Sequence, residues 1–137
     1  MKGMLKMLDL SKVEWLGTPE PKPGEAEHLN CFQRTLLPNC HLLGISEDEA
    51  KRIGTYFGGG MRAGGTCGPV NATLLILGHI YGNDKEAQDA GKEFLLAYAK
   101  ANGSWLCEDI RDEEHVKCNA AIEFALDYIK KHRRETD

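Results

Sequence analysis

Apolar residues first recur at helical spacing from Leu29, through Phe32 and Leu36 to Cys40. That period predicts a helix from about Glu25 to Leu43, with Cys31 in its first half. Pro38 should kink or end it near its C-terminal part, because proline lacks an N–H and its ring meets the preceding turn. Ser46 with Glu49 three residues later reads as a capping box, and Ile45 before it completes a helix start. A second helix is therefore expected from Ser46 to about Phe57. Beyond a glycine-rich stretch, Val70, Leu74, Leu75, Ile76, Leu77, Ile80 and Tyr81 cover too many faces for a surface helix. The third helix, with Pro69 at its first position, is expected to be the buried centre.

Gly82 and Asn83 end that helix and Asp84 opens a fourth, whose stripe of Ala87, Phe94, Tyr98 and Ala101 stops at Asn102 and Gly103. Ser104 to Ile110 reads as a short helical turn carrying Cys107. The last helix begins at Asp112 with Glu113 and Glu114 and finishes with Lys130, Lys131, Arg133 and Arg134, matching the dipole at both ends. Sustained alternation of period two is missing, and so are hairpin dipeptides between β-branched runs. The expected fold class is all-α: a compact single-domain bundle of about five helices, with a glycine-rich loop before a central buried helix.

Pro19, Pro21, Pro23 and Gly24 interrupt the first 24 residues, which read as a lead-in or linker before a helical domain at 25–137. With 137 residues, 42% of them hydrophobic, the chain has enough material for one core. Seventeen basic against 21 acidic residues leave a net charge of -4, without the excess that binding to nucleic-acid phosphates needs. The longest apolar stretch, Ala72 to Ile80, is far shorter than the roughly 20 residues that cross a bilayer. Lys6, Asp9 and Lys12 break the N-terminal apolar run before it forms a signal peptide, so a cytoplasmic location is expected.

That location changes the meaning of the five cysteines, at 31, 40, 67, 107 and 118. Structural disulfides are rare where thiols are kept reduced, so so many cysteines need another reason. Their number is odd and none forms a CxxC pair, so any joint site must be assembled by the fold. Cys67 stands out because it ends the string FGGGMRAGGTC and precedes Gly68 and Pro69 at a helix start. Free N–H groups and the helix dipole there favour a thiolate, and Arg62 offers a further positive charge. The competing reading is a small apolar filler beneath the loop.

Other motifs carry less. Laid against the phosphate-loop pattern, Gly59 to Thr66 leads to Gly65 where the lysine should stand, and no strand precedes it. His28 with Cys31 and His115 with Cys118 have a spacing used by metal ligands on one helix face, but the signal is weak and exposed, uninvolved histidines are the favoured reading. His41, His79 and His132 suggest still less. Asp109 with Asp112 and Glu113 with Glu114 read as solvated helix starts. The chain also lacks a GxSxG elbow.

Taken together, NCFQRTLL around Cys31, FGGGMRAGGTCGPVNA around Cys67, YG at Tyr81 and Gly82, GSWLC at Cys107, and Cys118 resemble the C_GCAxxG_C_C family of redox-active proteins. The resemblance spans roughly Asn30 to Ala125. It implies a small helical redox protein whose marker cysteines are Cys31, Cys67, Cys107 and Cys118, with Cys40 unmatched. Pro69 and Ala72 depart from the family pattern after the second marker, and Pro69 removes an N–H that an anion would otherwise meet. Two chemistries follow from these markers. The four thiolates hold an iron–sulfur cluster or another thiolate-bound metal, or Cys67 attacks and one of the other three resolves. Gly65, Thr66 and Gly68 are the loop positions that would line a cofactor. A different class is a non-catalytic helical module that partners an oxidoreductase or transporter, or assembles as a homo-oligomer, with its cysteines packed as core. Sulfurs gathered near Cys67 favour a site; scattered, fully buried sulfurs favour the module.

Overall fold

The computed structural model describes residues 29–82, 84–112 and 116–132. The lead-in segment, His28, Asn83, Glu113, Glu114, His115, Arg133 and Arg134 lie outside them, and with them both HxxC pairings. The chain folds as α1 (Cys31–Leu36), a 3-10 segment (Leu37–Leu43), α2 (Glu47–Gly54), a tight turn (Gly60–Gly64), α3 (Gly68–Tyr81), α4 (Asp84–Asn102), α5 (Cys107–Ile110) and α6 (Val116–His132). The fold is all-α. Among the described residues, extended pairing is limited to one isolated antiparallel bridge between Thr66 and Leu106.

Helix α1 begins later than its periodicity predicts, because Asn30 is extended, with ψ of 172°, and acts as its cap. Its side chain accepts from the N–H of Gln33 at 2.8 Å while Gln33 Oε1 accepts from the N–H of Asn30 at 2.9 Å, a reciprocal capping box. At Leu37 the chain tightens into the 3-10 segment, with Pro38 in its first turn, and Gly44 in the left-handed region ends it. Helix α2 has Ser46 as its cap, as expected, but stops at Gly54 and not at Phe57. There a Cβ would lie 2.7 Å from the Gln33 side chain and 2.8 Å from the Phe32 ring, so α1 and α2 touch only because residue 54 is glycine.

Helix α3 is the central element, packed against α1, α4 and α6. Ala72 and Ile76 face one cluster with Phe32, Leu36, Cys40, Ala50 and Ile129. Val70 and Leu77 face another with Cys67, Phe94, Tyr98, Ile110 and Ala121. Full burial of Ile76 and Leu77 stabilises the fold by about 1.5–3 kcal/mol each. On α4 the buried stripe is Gly91, Phe94 and Tyr98, whereas Ala101, expected on that stripe, is exposed near the helix end.

Candidate functional site

Each marker cysteine stands at the start of a different helix. Cys31 is the first residue of α1, Cys67 caps α3, Cys107 is the first residue of α5 and Cys118 is the third of α6. Cys31 is fixed by the Asn30–Gln33 box, which also ties α1 to α2. Asn30 Nδ2 donates to Gly54 O and Gln33 Nε2 to Lys51 O, each at 2.8 Å. The Cys31 carbonyl accepts from Thr35 Oγ1 at 2.9 Å.

From there Cys31 Sγ reaches α3. A Cβ on Gly68 would sit 2.6 Å from that sulfur and 2.8 Å from the N of Phe32. Gly68 is therefore a close-approach glycine that brings Cys31 beside the Cys67 turn. Gly65 and Thr66 have a similar structural task. Gly65 O accepts from Cys107 N–H at 2.7 Å, Cys67 N–H donates to Trp105 O at 2.8 Å, and Thr66 bridges Leu106 between them. These three positions tie Cys67 to Cys107 through the backbone.

The loop that precedes them is strained. Gly59, Gly60, Met61, Arg62 and Gly64 all have φ between 60° and 73°. Met61 and Arg62 each cost about 1–2 kcal/mol in that conformation. The turn is closed by Gly65 N–H donating to Gly60 O at 2.9 Å, and it lies against Cys107, whose Cβ would be 2.7 Å from a Cβ on Gly60. Arg62 does not serve Cys67: its guanidinium donates to Thr55 O at 3.3 Å and lies 5.2 Å from the centre of the Tyr56 ring.

The expected thiolate at Cys67 is also corrected. Its sulfur makes no cap bond to α3 and instead lies 3.1 Å from Tyr98 Oη inside the core. Burial pushes the thiol up to about 12, the Tyr98 hydrogen bond acts against this, and the charges of Cys31, Cys107 and Cys118 add to it. Desolvation outweighs the helix terminus. Cys107 is pushed up to about 11, first by burial and then by Cys31 and Cys118. Cys118 is raised by burial and then by Cys31, while a backbone hydrogen bond from Asp112 opposes the rise. Of the cysteines, Cys31 contributes the largest electrostatic part of the rise at each of the other three.

All five cysteines are free thiols; Cys31 and Cys118 are half-buried, and Cys40, Cys67 and Cys107 are buried. Cys40 packs in the α1-side cluster with Phe32 and Leu36, apart from the other four. Among the described residues, no group of three or more His, Cys, Asp or Glu side chains is disposed to hold a metal ion.

Three supporting residues escape sequence reasoning. Asn30 with Gln33 carries a readable N-x-x-Q capping signal inside NCFQ. Tyr98 is legible only as one apolar position of a stripe, because nothing in the sequence says that its hydroxyl meets Cys67.

A family model described as "Putative redox-active protein (C_GCAxxG_C_C)" matches residues 29–132, a span that includes all of these groups. No curated protein and no solved structure matches the chain.

Proposed function

The chain belongs to the C_GCAxxG_C_C family, and from that premise we propose that it exchanges electrons as a dithiol–disulfide couple of Cys31 and Cys67. The supporting observation is the wedge of Cys31 Sγ against Gly68, where a Cβ would stand 2.6 Å from the sulfur. Gly68 directly follows Cys67 in the chain, and this neighbourhood supports pairing the half-buried thiol with the buried one. The accessible thiol, Cys31, is the one that meets an oxidised partner disulfide of protein or small-molecule type. Its thiolate attacks one partner sulfur, the partner S–S bond breaks, and the first partner thiolate leaves with the electron pair. Cys67 then attacks Cys31 Sγ, forming the internal disulfide and releasing the second partner thiolate. The protons of the two protein thiols end on the two partner thiols, so two electrons and two protons pass to the partner. In this reading Cys107 and Cys118 complete the set and draw the disulfide onward by a further exchange.

The test is trapping. Cys67→Ser should stop the exchange at a stable mixed disulfide on Cys31, and Cys31→Ser should prevent that adduct from forming, both read by intact mass. Wild-type exchange in the Cys31→Ser protein would contradict the proposal, as would stoichiometric iron with visible charge-transfer bands in anaerobically purified protein.

A further inference from the structure

The dithiol couple gives no task to the buried hydroxyl of Tyr98, which meets Cys67. Tyr98 is fully buried, and its ring is held by Phe94 and Phe124 with centroids 5.5 and 5.8 Å away. A phenylalanine would supply the same packing. Burying a hydroxyl is unfavourable unless it is well bonded, and a neutral thiol is a weak partner. Against a thiolate, the same O–H forms a charge-assisted bond of about twice the strength. The contact of 3.1 Å is therefore best matched to a Cys67 that carries charge.

The other titratable groups that bear on Cys67 are Cys31 from α1, Cys107 from α5 and Cys118 from α6, and each disfavours that charge when ionised. Tyr98, from α4, is the neutral donor among them. Burial and the Cys67 charge both hold its own ionisation well above the usual phenol range, so the proton stays on the oxygen.

We propose that Tyr98 donates its O–H to Cys67 Sγ as the thiolate forms, and so sets the rate at which Cys67 resolves a mixed disulfide on Cys31. The inference rests on the Cys31–Cys67 couple. In the step, the Cys67 S–H proton passes through solvent to the leaving thiolate. A new S–S bond joins Cys67 to Cys31, and the bond from Cys31 to the leaving group breaks with the electron pair on that group. Tyr98 keeps its proton throughout.

The full-length protein is mixed with one equivalent of 2,2′-dipyridyl disulfide, and release of pyridinethione is followed by stopped-flow absorbance. The first release reports attack by Cys31 and the second reports resolution by Cys67. Tyr98→Phe should leave the first phase unchanged, slow the second on the order of tenfold to a hundredfold, and move its pH profile to higher pH. Phe94→Leu, which loosens the same packing but keeps the hydroxyl, should leave that profile in place. Uniform 3-fluorotyrosine, a stronger acid on the same ring, should speed the second phase and serves if Tyr98→Phe misfolds. An unchanged second phase in Tyr98→Phe, or equal slowing of both phases, overturns the role of Tyr98. A second phase that persists in Cys67→Ser removes the couple itself.

Discussion

Cys40 and Cys67 are almost equally hidden, with relative exposures of 6% and 4%, and both pack in apolar clusters divided by α3. Their surroundings differ in kind. Cys40 lies in the 3-10 segment, among Phe32, Leu36, Ala50 and Ile129. Cys67 caps a helix, hydrogen bonds to Tyr98 and feels the charge of three further thiols. Burial alone therefore does not distinguish the two cysteines; position at a junction of helix starts, with a polar partner, does.

The largest expected effect divides the two outright. Replacing Cys31 or Cys67 by serine should abolish the two-thiol oxidation, whereas Cys40→Ala should leave it intact, as read by free-thiol titration before and after treatment with a disulfide. Loss of the couple in Cys40→Ala would break the comparison. Next, glycines on one helix should respond in opposite directions. Gly68→Ala drives a Cβ into Cys31 Sγ and the backbone of Phe32 and should destabilise by about 1–3 kcal/mol. Gly78→Ala meets nothing within 4 Å and should stabilise by up to about 1 kcal/mol, through helix propensity. Urea unfolding of the two variants checks both signs.

The third prediction concerns pH. Cys67 rises from 9.0 to about 12 and Cys107 to about 11, so the folded state holds protons that the unfolded chain releases. Their contribution is complete below pH 9 and is lost as pH rises through the folded values. The urea midpoint should fall between pH 9 and 11, and less steeply in Cys67→Ala; a flat profile in the wild type would contradict the burial effect. The smallest effect is one of rate. A maleimide should label half-buried Cys31 and Cys118 before buried Cys40, Cys67 and Cys107, as timed by peptide mass.

Much of the fold was legible in the residues. The crowded apolar faces of Val70 to Tyr81 announce a central helix, and Ser46 and Gly103 mark real helix ends. The start of the first helix is not legible in the period, because Leu29 fits it although Asn30 adopts the extended conformation of a cap. The site was less legible. Sequence spacing and family likeness pick out four cysteines, but the sign of the effect on Cys67 depends on desolvation, a property of neighbours distant in sequence. The contact of Cys67 with Tyr98 spans 31 residues, and that of Cys31 with Gly68 joins two helix starts. Neither leaves a local pattern.

The central claim concerns which sulfurs join. Full-length protein is oxidised with one equivalent of a small disulfide, blocked with an alkylating reagent, digested without reduction and mapped by mass spectrometry. The account predicts a dominant peptide pair linked through Cys31 and Cys67, with Cys40 alkylated. A dominant link through Cys40, a link that leaves Cys67 alkylated, or five alkylated thiols would contradict it.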